Sequence, residues 1–472
     1  MTDILPNPTT HDQPDAPSGS VAVIFPTGML GGGFPAETVT RGIVLGADAI
    51  AVDGGSTDSG PHYLGTGTAK TAASAVERDL RVLLTEARAA GIPLIVTSCG
   101  TSGTDSGVDW IADMVTHIAR QHHLSFRLAR IYSELRADVL VSALDAGRIH
   151  PLPPLGPLDA ETLRSCSHIV GVLGQEPIAA ALDAGADVVL TGRATDTASV
   201  AALALRRGLP AGPTWHAAKT VECGAQCTTD PRSGAVLVRI DADGFTVEPL
   251  GEGAACTPTT VAAHMIYENV DPYRMREPAG TLDTSHATYT ALDPRRVRVE
   301  GSRFEVAAQY TVKLEGAALV GHETATLVGI RDPHILRHLD TWVPRLRDIV
   351  AERAQALLEL EPDDYELDVR CYGADAILGR LEPDTTPPRE VGVLFRVRAA
   401  DQATANAIAK IANPYLLHLP LPDMTHMPSF AFAMSPAEIE RGPVYEFVLN
   451  HAVDVADPRD LLRTVYTEVN HG

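Results

Sequence analysis

The sequence predicts an α/β fold: a mostly parallel sheet with helices on both faces, Rossmann- or flavodoxin-like, together with a smaller C-terminal α+β domain of the ferredoxin-like type. Three observations support this prediction. Short apolar runs alternate with helix-length amphipathic patterns over residues 21–225. Several of these runs are followed by loops rich in Gly, Ser, Thr and Asp. From residue 317 onward the patterns follow the order βαββαβ, which is the ferredoxin-like order.

Length and composition set the expected domain organisation. A chain of 472 residues, 45% of them hydrophobic, is long enough for two or three domains with cores of their own. We predict a disordered N-terminal tail at 1–20, an α/β domain at 21–225, a β-rich segment at 226–316 that completes the site, and an α+β domain at 317–472. The tail lacks the basic and apolar regions of a signal peptide.

Net charge limits the classes of partner. The formal net charge is −22, from 60 acidic and 38 basic residues, so the field of the protein repels nucleic acid and anionic lipid. No apolar run approaches the roughly 18–20 residues that a membrane helix needs. We therefore expect a cytoplasmic protein that binds a small molecule and forms a homo-oligomer, with no nucleic-acid partner and no membrane partner.

The first glycine-rich loop follows an apolar strand at 49–52 and has the sequence DGGSTDSGPHYLGTGTAK. Glycine lets backbone N–H groups approach a ligand closely, and the start of the next helix, expected over 71–90, favours an anion. The spacing differs from that of a phosphate-binding P-loop, which disfavours ATP hydrolysis. We predict substrate contacts from seven residues of this loop: Gly54, Gly55, Ser56, Thr57, Thr66, Gly67 and Lys70.

A second loop of the same kind follows the strand predicted at 93–98. Ligands of open α/β sheets bind outside the carboxyl ends of the strands, so the two loops are expected to face one crevice. We predict substrate contacts from four residues of this second loop: Cys99, Gly100, Thr101 and Ser102.

A third loop resembles the first one. The segment GADVVLTGRATD aligns with GADAIAVDGGSTD with one gap, and both close on Thr-Asp after an apolar strand. Carboxylates at strand ends in a partly dry crevice have pKa values raised toward neutrality, which suits general acid/base catalysis. We predict Asp53, Asp58 and Asp196 as catalytic residues, with helix capping or turn formation as the structural alternatives. Arg193 and Thr195 are predicted to bind substrate, since a guanidinium can hold a carboxylate bidentately.

A helix is predicted to start at Thr257 and Pro258 and to run through Asn269. On such a helix His264 and Glu268 share a face. They are candidates for a proton-transfer pair, for two ligands of a divalent ion, or for a surface hydrogen-bonded pair. We therefore include His264 among the catalytic candidates. No cofactor is firmly implied, and the candidate ion is Mg²⁺.

The six cysteines are too few and too scattered for a disulfide framework, so reduced thiols are expected. Cys223 and Cys227 do not have a recognised zinc spacing, and no second pair follows them. Cys99 and Cys223 are candidate nucleophiles, although no nearby histidine supports either one.

Seven segments carry a family resemblance: DGGSTDSGPHYLGTGTAK, VTSCGTSGTDSGVDW, GADVVLTGRATDTA, KTVECGA, CTPTTVAAHMIYENVDPY, VRVEGSRF and RGPVYEFVLNHAVDVADP. In unbroken order they resemble the acyclic terpene utilisation (AtuA-type) family of bacterial proteins. The resemblance implies a cytoplasmic catabolic protein that acts on branched or multiply carboxylated carbon skeletons, or on their acyl-CoA thioesters, by hydration, dehydration or lyase chemistry. The implied partner is a small anionic metabolite or an acyl-CoA.

Three hypotheses of function remain. In the first, a lyase or hydratase uses Asp and His residues to move protons, while Arg193 and Lys70 hold an anionic group. In the second, a hydrolase or acyl-transfer enzyme uses Cys99 or Ser102, although the chain lacks the G-x-S-x-G motif. The third is a non-catalytic subunit that binds a metabolite. The polar density of the three loops favours catalysis, and the absence of a strong nucleophile motif favours the first hypothesis over the second.

Overall fold

The structure is a computed structural model that describes residues 19–471. The chain divides into two compact units, one comprising the residues up to Ala317 together with those from Phe447 onward, and the other comprising Ala318–Glu446. Residues 1–18 of the predicted N-terminal tail lie outside the described residues.

Strands and helices alternate in the first part of the chain and strands dominate the middle. The strands are β1 (Val21–Phe25), β2 (Ala49–Asp53), β3 (Leu94–Thr97), β4 (Phe126–Tyr132), β5 (Ile149–Pro151), β6 (Cys166–Val172), β7 (Val188–Thr191), β8 (Val236–Ile240), β9 (Gly244–Pro249), β10 (Arg274–Glu277), β11 (Gly280–Asp283), β12 (Thr288–Ala291), β13 (Val297–Glu300), β14 (Arg303–Val306), β15 (Thr311–Ile330), β16 (Tyr365–Tyr372), β17 (Val391–Ala399), β18 (Ala431–Phe432), β19 (Glu438–Asp454) and β20 (Arg463–Val469). The α-helices are α1 (Ala36–Val44), α2 (Pro61–Thr66), α3 (Ala73–Ala90), α4 (Asp105–His122), α5 (Ala137–Asp145), α6 (Ala160–Ser165), α7 (Glu176–Asp183), α8 (Ala198–Arg206), α9 (Ala211–Val221), α10 (Pro258–Ala263), α11 (Pro333–Leu336), α12 (Leu339–Leu358) and α13 (Gln402–His418).

The main sheet of the first unit is mixed. Its ten strands lie in the order β12-β13-β9-β8-β1-β2-β3-β7-β4-β20. The four neighbouring pairs from β1 to β4 are parallel, and the other five pairs are antiparallel. The prediction of a mostly parallel, Rossmann- or flavodoxin-like sheet is therefore wrong.

The prediction of a parallel sheet fails because β8 and β20, which come later in the chain, pair antiparallel with the parallel strands. The hairpin predicted around 241–244 is present, with Ile240 opposite Phe245. Its first strand, however, also pairs antiparallel with β1 and thereby extends the parallel strands into a mixed sheet. At the other side β20, from the C-terminal end, pairs antiparallel with β4. Apolar alternation indicates a strand but not its neighbour or its direction.

Helices cover both faces of the parallel strands, and β1 shows how the sequence divides between the two cores. Val21, Val23 and Phe25 pack in a core with residues of α7, α8 and α9. Ala22 and Ile24 pack in the opposite core with residues of α1, α3 and α4. Parallel strands buried on both faces read as continuous apolar runs, which is why this part of the sequence is predictable.

The unit Ala318–Glu446 has a core of its own. Within it β17 pairs antiparallel with both β15 and β16. Trp342 of α12 and Ile408 of α13 pack with Phe395 of β17 in one hydrophobic cluster. Among the helices of the described chain, none combines the length and the apolar character that a membrane span requires.

Candidate active site

Three strand ends meet at one edge of the main sheet. The neighbouring parallel strands β2, β3 and β7 end at Asp53, Thr97 and Thr191. Asp53 lies opposite Thr97, whose hydroxyl donates a hydrogen bond of 3.3 Å to Oδ1 of Asp53. The three polar loops predicted from the sequence therefore start side by side.

Arg193, in the loop after β7, links these loops. It is buried, and its Nε donates to Oε2 of Glu315 at 3.2 Å. Its Nη1 donates to Oγ of Ser98 at 3.2 Å and to Oδ1 of Asp196 at 3.3 Å. The guanidinium of Arg193 is therefore engaged by carboxylates of the protein itself, where the sequence suggested a substrate carboxylate.

Glu315, on β15, is the main partner of Arg193. Its carboxylate also accepts hydrogen bonds from the Thr57 hydroxyl at 2.9 Å and from Nζ of Lys313 at 2.8 Å. Burial by itself raises the pKa of Glu315, but Arg193 and Lys313 reverse this effect and lower it to about 2. The ionised Glu315 therefore fixes the loops after β2 and β7 to β15.

Two other buried carboxyl groups have raised pKa values. Burial raises the pKa of Asp53 well above its usual range, and the charge of Asp196 adds to this effect while Arg193 opposes it. Burial raises the pKa of Glu277, on β10, to about 8, although a hydrogen bond of 2.6 Å from the Thr197 hydroxyl to Oε1 opposes the shift. The buried Oε2 of Glu277 has no hydrogen-bond partner in the described chain. Glu277 is therefore protonated at neutral pH.

The end of α9 brings a second charged pair to the site. Lys219 donates a hydrogen bond to Oε1 of Glu222, and both side chains are buried. Burial raises the pKa of Glu222 well above its usual value, and Lys219 opposes this effect. The charge of Asp196 raises the pKa values of Lys219 and Glu222 as well. This pair therefore belongs to the same electrostatic site as the strand-end loops.

His264 lies beside Glu222 and Cys223. A carboxylate oxygen, the thiol sulfur and an imidazole nitrogen of these three side chains all lie within 4.8 Å of one another. His264 is 5% exposed, and its Nε2 has no hydrogen-bond partner among the residues described. Burial, together with the charge of Lys219, lowers the pKa of His264 to about 4.

The helix expected to place His264 and Glu268 on one face is shorter than predicted. It is present as α10, but it ends at Ala263 and a turn of 3-10 helix follows. Glu268 has a φ of 52°, so the helical i, i+4 relation that motivated the pairing is absent. The three side chains brought together as candidate metal ligands include His264 but not Glu268.

Glycines allow the loops to pack tightly at this edge. A Cβ on Gly55, whose φ is 143°, would lie 2.6 Å from Cα of Thr101. A Cβ on Gly103, whose φ is 69°, would lie 2.0 Å from the backbone N of Arg193. Gly54 is also buried. The space beside these glycines is filled by the protein's own backbone, which requires residues without a Cβ.

The outer part of the first loop lines a cavity of about 370 Å³. Asp58 is exposed at this cavity, and its backbone N–H donates to Oγ of Ser56 at 3.1 Å. Thr57, Lys313 and Glu315 line the same cavity. Of the buried Arg193–Glu315 pair, Glu315 is therefore the residue that borders this cavity.

Five predicted substrate-binding residues are at least partly exposed, and one of them is the half-buried Ser56 of the first loop. Lys70 is exposed and its Nζ donates to a serine hydroxyl in the same loop at 3.2 Å. Thr66 and Gly67 are half-buried at the end of α2. Thr195 is half-buried, and its hydroxyl shares a hydrogen bond of 3.1 Å with that of Thr197.

The predicted residues of the second loop are all buried. Burial raises the pKa of the Cys99 thiol. The Ser102 hydroxyl donates to a backbone carbonyl at 3.3 Å. Gly100 and Thr101 lie between them, and the Thr101 hydroxyl accepts a hydrogen bond from a backbone N–H at 2.9 Å. Among the described residues, the Cys99 thiol and the Ser102 hydroxyl therefore bond to backbone carbonyls and not to a histidine or a carboxylate.

Sequence reasoning missed the glutamates of the site. Glu222 follows Lys219 by three residues, which is the spacing of an ion pair on a helix and could have indicated their contact. Glu315 follows Lys313 by two residues in an apolar strand, so both lie on one face. Glu277 stands in a short segment without a distinguishing pattern.

The chain matches one known protein family. A model described as "Acyclic terpene utilisation family protein AtuA" matches residues 66–441. The chain belongs to this family. Neither a curated protein nor a solved structure matches it. Within this family member, the matched region includes the loops after β3 and β7, the end of α9 and the three glutamates, whereas Asp53 and Asp58 precede it.

The site combines two carboxyl groups in different surroundings. Burial raises the pKa of Glu277 to about 8, and its Oε2 has no hydrogen-bond partner among the described residues, whereas Asp196 is half-buried and accepts a hydrogen bond from Arg193. Placing an acid and a carboxylate in one partly dry site is how proteins carry out general acid/base catalysis near neutral pH. The arrangement suits proton transfer better than nucleophilic attack.

Proposed function

We propose that this member of the acyclic terpene utilisation family is a hydro-lyase, a hydratase or dehydratase. Its proposed substrate is a small branched or multiply carboxylated acid, or the CoA thioester of one. The observation that carries the proposal is Glu277, a buried acid whose pKa is raised to about 8 and whose Oε2 has no hydrogen-bond partner among the described residues. The family's link to acyclic terpene utilisation supports a branched substrate.

The proposed roles follow from hydration chemistry. Adding water to a carbon–carbon double bond next to a carbonyl requires a base that takes a proton from water and an acid that protonates the neighbouring carbon. In this proposal Asp196 is the base and Glu277 is the acid, and the reverse direction removes water with the two roles exchanged. Asp53, whose pKa is also raised, is a second candidate acid.

Cations serve two purposes in the proposal. Lys70 is exposed, its Nζ donates to Ser59, and it is proposed to hold the anionic end of the substrate. Arg193 is engaged by Glu315 and Asp196, so its proposed role is to position the Asp196 carboxylate. A hydrolase that uses Cys99 or Ser102 is less well supported, because burial raises the pKa of the Cys99 thiol and the Ser102 hydroxyl is bonded to backbone.

Isotope labelling tests the proposal. A thermal-shift screen of di- and tricarboxylates, branched unsaturated acids and their CoA thioesters first identifies the compounds that stabilise the protein. Each stabilising compound is then incubated with the protein in H₂¹⁸O and examined by mass spectrometry. We expect one compound to gain labelled water on carbon while a thioester, if present, stays intact, with loss of this activity in Glu277→Gln.

Glu305→Gln is the matched control, because Glu305 lies on the same small sheet and pairs with Arg274 at the surface. We expect it to retain activity. A label found only in a released carboxylate would indicate a hydrolase and contradict the proposal. Stabilising compounds that never react would indicate a binding subunit and would also contradict it.

A further inference from the structure

The side chains of Glu222, Cys223 and His264 form a cluster of three ligand-type atoms, and Lys219 contacts Glu222. One oxygen, one sulfur and one nitrogen lie within 4.8 Å of one another. Zn²⁺ is bound at roughly 2.0–2.3 Å by such atoms, so a shift of about an ångström would bring all three to a single ion.

The histidine of this cluster has an unused nitrogen. His264 is 5% exposed, and its Nε2 lacks a hydrogen-bond partner in the described part of the chain. Leaving a buried polar atom unpaired is costly, so such an atom in a native protein calls for a partner. The ring is held by stacking on Tyr267, with centroids 5.4 Å apart and an interplanar angle of 22°.

The backbone at Cys223 is held in place by close packing. A Cβ on Gly28, in the loop after β1, would lie 3.2 Å from Cα of Cys223. Gly224, with a φ of 60°, lies similarly close to Thr27. Cys223 itself is half-buried, so this ligand is partly exposed to solvent. The backbone that carries Cys223 is therefore held in place by packing before an ion binds.

Lys219 completes the surroundings. Its hydrogen bond reaches Oε1 of Glu222, which leaves Oε2 for an ion. Lys219 would thus orient the Glu222 carboxylate toward the ion, as groups next to a metal site commonly orient its ligands through hydrogen bonds. The thiolate of Cys223 and the carboxylate of Glu222 would together reduce the combined charge of a divalent ion and Lys219 from +3 to +1. The ion would also give the unpaired imidazole nitrogen of His264 a partner.

We propose that Glu222, Cys223 and His264 bind a divalent transition-metal ion of the Zn²⁺ class. Thiolate and imidazole ligands select such ions, whereas Mg²⁺ and Ca²⁺ prefer sites made of oxygen alone. Three protein ligands leave one position of a tetrahedral ion open, which is the arrangement of catalytic rather than structural zinc. His264 is thus proposed to share an ion with Cys223 and Glu222, whereas the sequence had suggested Glu268 as its partner. The metal site is independent of the catalytic roles proposed for Glu277 and Asp196.

Cobalt substitution tests this inference with the full chain. The purified protein is stripped with a chelator and titrated with Zn²⁺, with bound metal measured by mass spectrometry, and with Co²⁺, followed by absorption spectroscopy. We expect one equivalent of Zn²⁺ and, with Co²⁺, a thiolate-to-cobalt charge-transfer band. Cys223→Ser should abolish the band, and His264→Gln should weaken Zn²⁺ binding by at least about 10-fold.

Cys166→Ser is the matched control, since Cys166 is also half-buried but lies outside the cluster. It should keep both the band and the affinity, and circular dichroism of every variant checks that it folds. Wild-type protein that takes up no stoichiometric Zn²⁺ overturns the inference. So does a charge-transfer band that persists in folded Cys223→Ser, or metal binding that is equal in folded His264→Gln.

Discussion

Glu315 and Glu277 are both buried in the candidate site, yet their pKa values move in opposite directions. Arg193 and Lys313 lie beside Glu315 and keep it ionised. Glu277 accepts a hydrogen bond from the Thr197 hydroxyl, and among the described residues no cation forms an ion pair with it that offsets its burial. The presence of a neighbouring cation therefore decides whether a buried carboxyl group is a structural anion or an acid.

Glu315→Gln should destabilise the protein, because it leaves the buried Arg193 without its main counter-charge. Removing one partner of a buried ion pair costs about 3–5 kcal/mol of unfolding free energy, which urea denaturation would measure. Lys313→Gln is the control: Lys313 is 46% exposed, and loss of an exposed pair costs at most about 1 kcal/mol. Equal losses in the two variants would contradict the structural role assigned to the Arg193–Glu315 pair.

Glu277 should make stability depend on pH in a specific direction. Its pKa is about 8 in the folded protein against an ordinary value of 4.5, so between these values the folded state binds more protons than the unfolded state. Wild-type unfolding free energy should therefore fall relative to that of Glu277→Gln as pH rises from 5 to 8, by at most about 1.4 kcal/mol per pH unit. Parallel stability curves for the two proteins would show that Glu277 is ionised in the fold.

At the level of elements, the close approach of two loops holds the site together. Gly103, after β3, lies against the backbone of the loop after β7 that carries Arg193. The backbone N–H of Arg193 donates to the carbonyl of Gly103 at 3.2 Å. The glycine content of these loops, which suggested a ligand-binding surface, serves contact between the loops.

Gly103→Ala should therefore destabilise the protein much more than Gly185→Ala. Both glycines have positive φ, 69° and 81°, so both variants have the backbone strain of about 1–2 kcal/mol. At position 103 the added Cβ would also lie only 2.0 Å from the backbone N of Arg193. At position 185 no atom of the described residues lies within 4 Å of the added Cβ. Thermal denaturation compares the two, and similar melting temperatures would contradict the packing role of Gly103.

Local patterns predicted helices well where the helix ended at a strong stop signal. The helix expected over 71–90 is present as α3, and Gly91 terminates it in the left-handed conformation. The helix expected to run from Thr257 through Asn269 begins as predicted, with Thr257 capping it. It ends early at Ala263 with no glycine to mark the end. Side-chain pairs inferred from helical spacing fail where the helix end is misplaced.

At the level of the whole molecule, the C-terminal strand completes the main sheet. β20 covers the edge of β4 along its whole length, from Arg463 opposite Tyr132 to Val469 opposite Phe126. The guanidinium of Arg463 lies 3.8 Å from the ring centroid of Tyr132. Val469 is buried in the same core as Phe126. The main sheet of the first unit therefore includes a strand that lies more than 300 residues along the chain from β4.

Truncation before Arg463 should expose the edge of β4. An uncovered strand edge pairs with other chains, so we expect a lower melting temperature and aggregation detectable by light scattering. A chain that ends at Asn470 keeps β20 and is the control. A truncated protein that melts and scatters like this control would show that β20 is dispensable for the sheet.

The predictability of the molecule differs between its parts for physical reasons. The buried parallel strands and the loops with Asp53, Cys99 and Arg193 were predictable, because an apolar run followed by a polar loop is a local pattern. The antiparallel partners of β1 and β4 were not, since pairing depends on residues far apart in sequence. Glu277 and Glu315 were missed for the same reason: their burial and their partners arise only when distant segments meet.

Infrared spectroscopy can show whether the Glu277 side chain is a carboxylic acid at neutral pH. The difference spectrum of wild-type protein minus Glu277→Gln isolates the carbonyl band of the protonated Glu277 side chain. We predict that this band is present at pH 7 and disappears as the pH rises through about 8. If the band is absent at pH 7 and appears only when the pH is lowered to about 4.5, the ordinary pKa of glutamate, then Glu277 is ionised in the folded protein at neutral pH. That result would contradict the acid role proposed for Glu277.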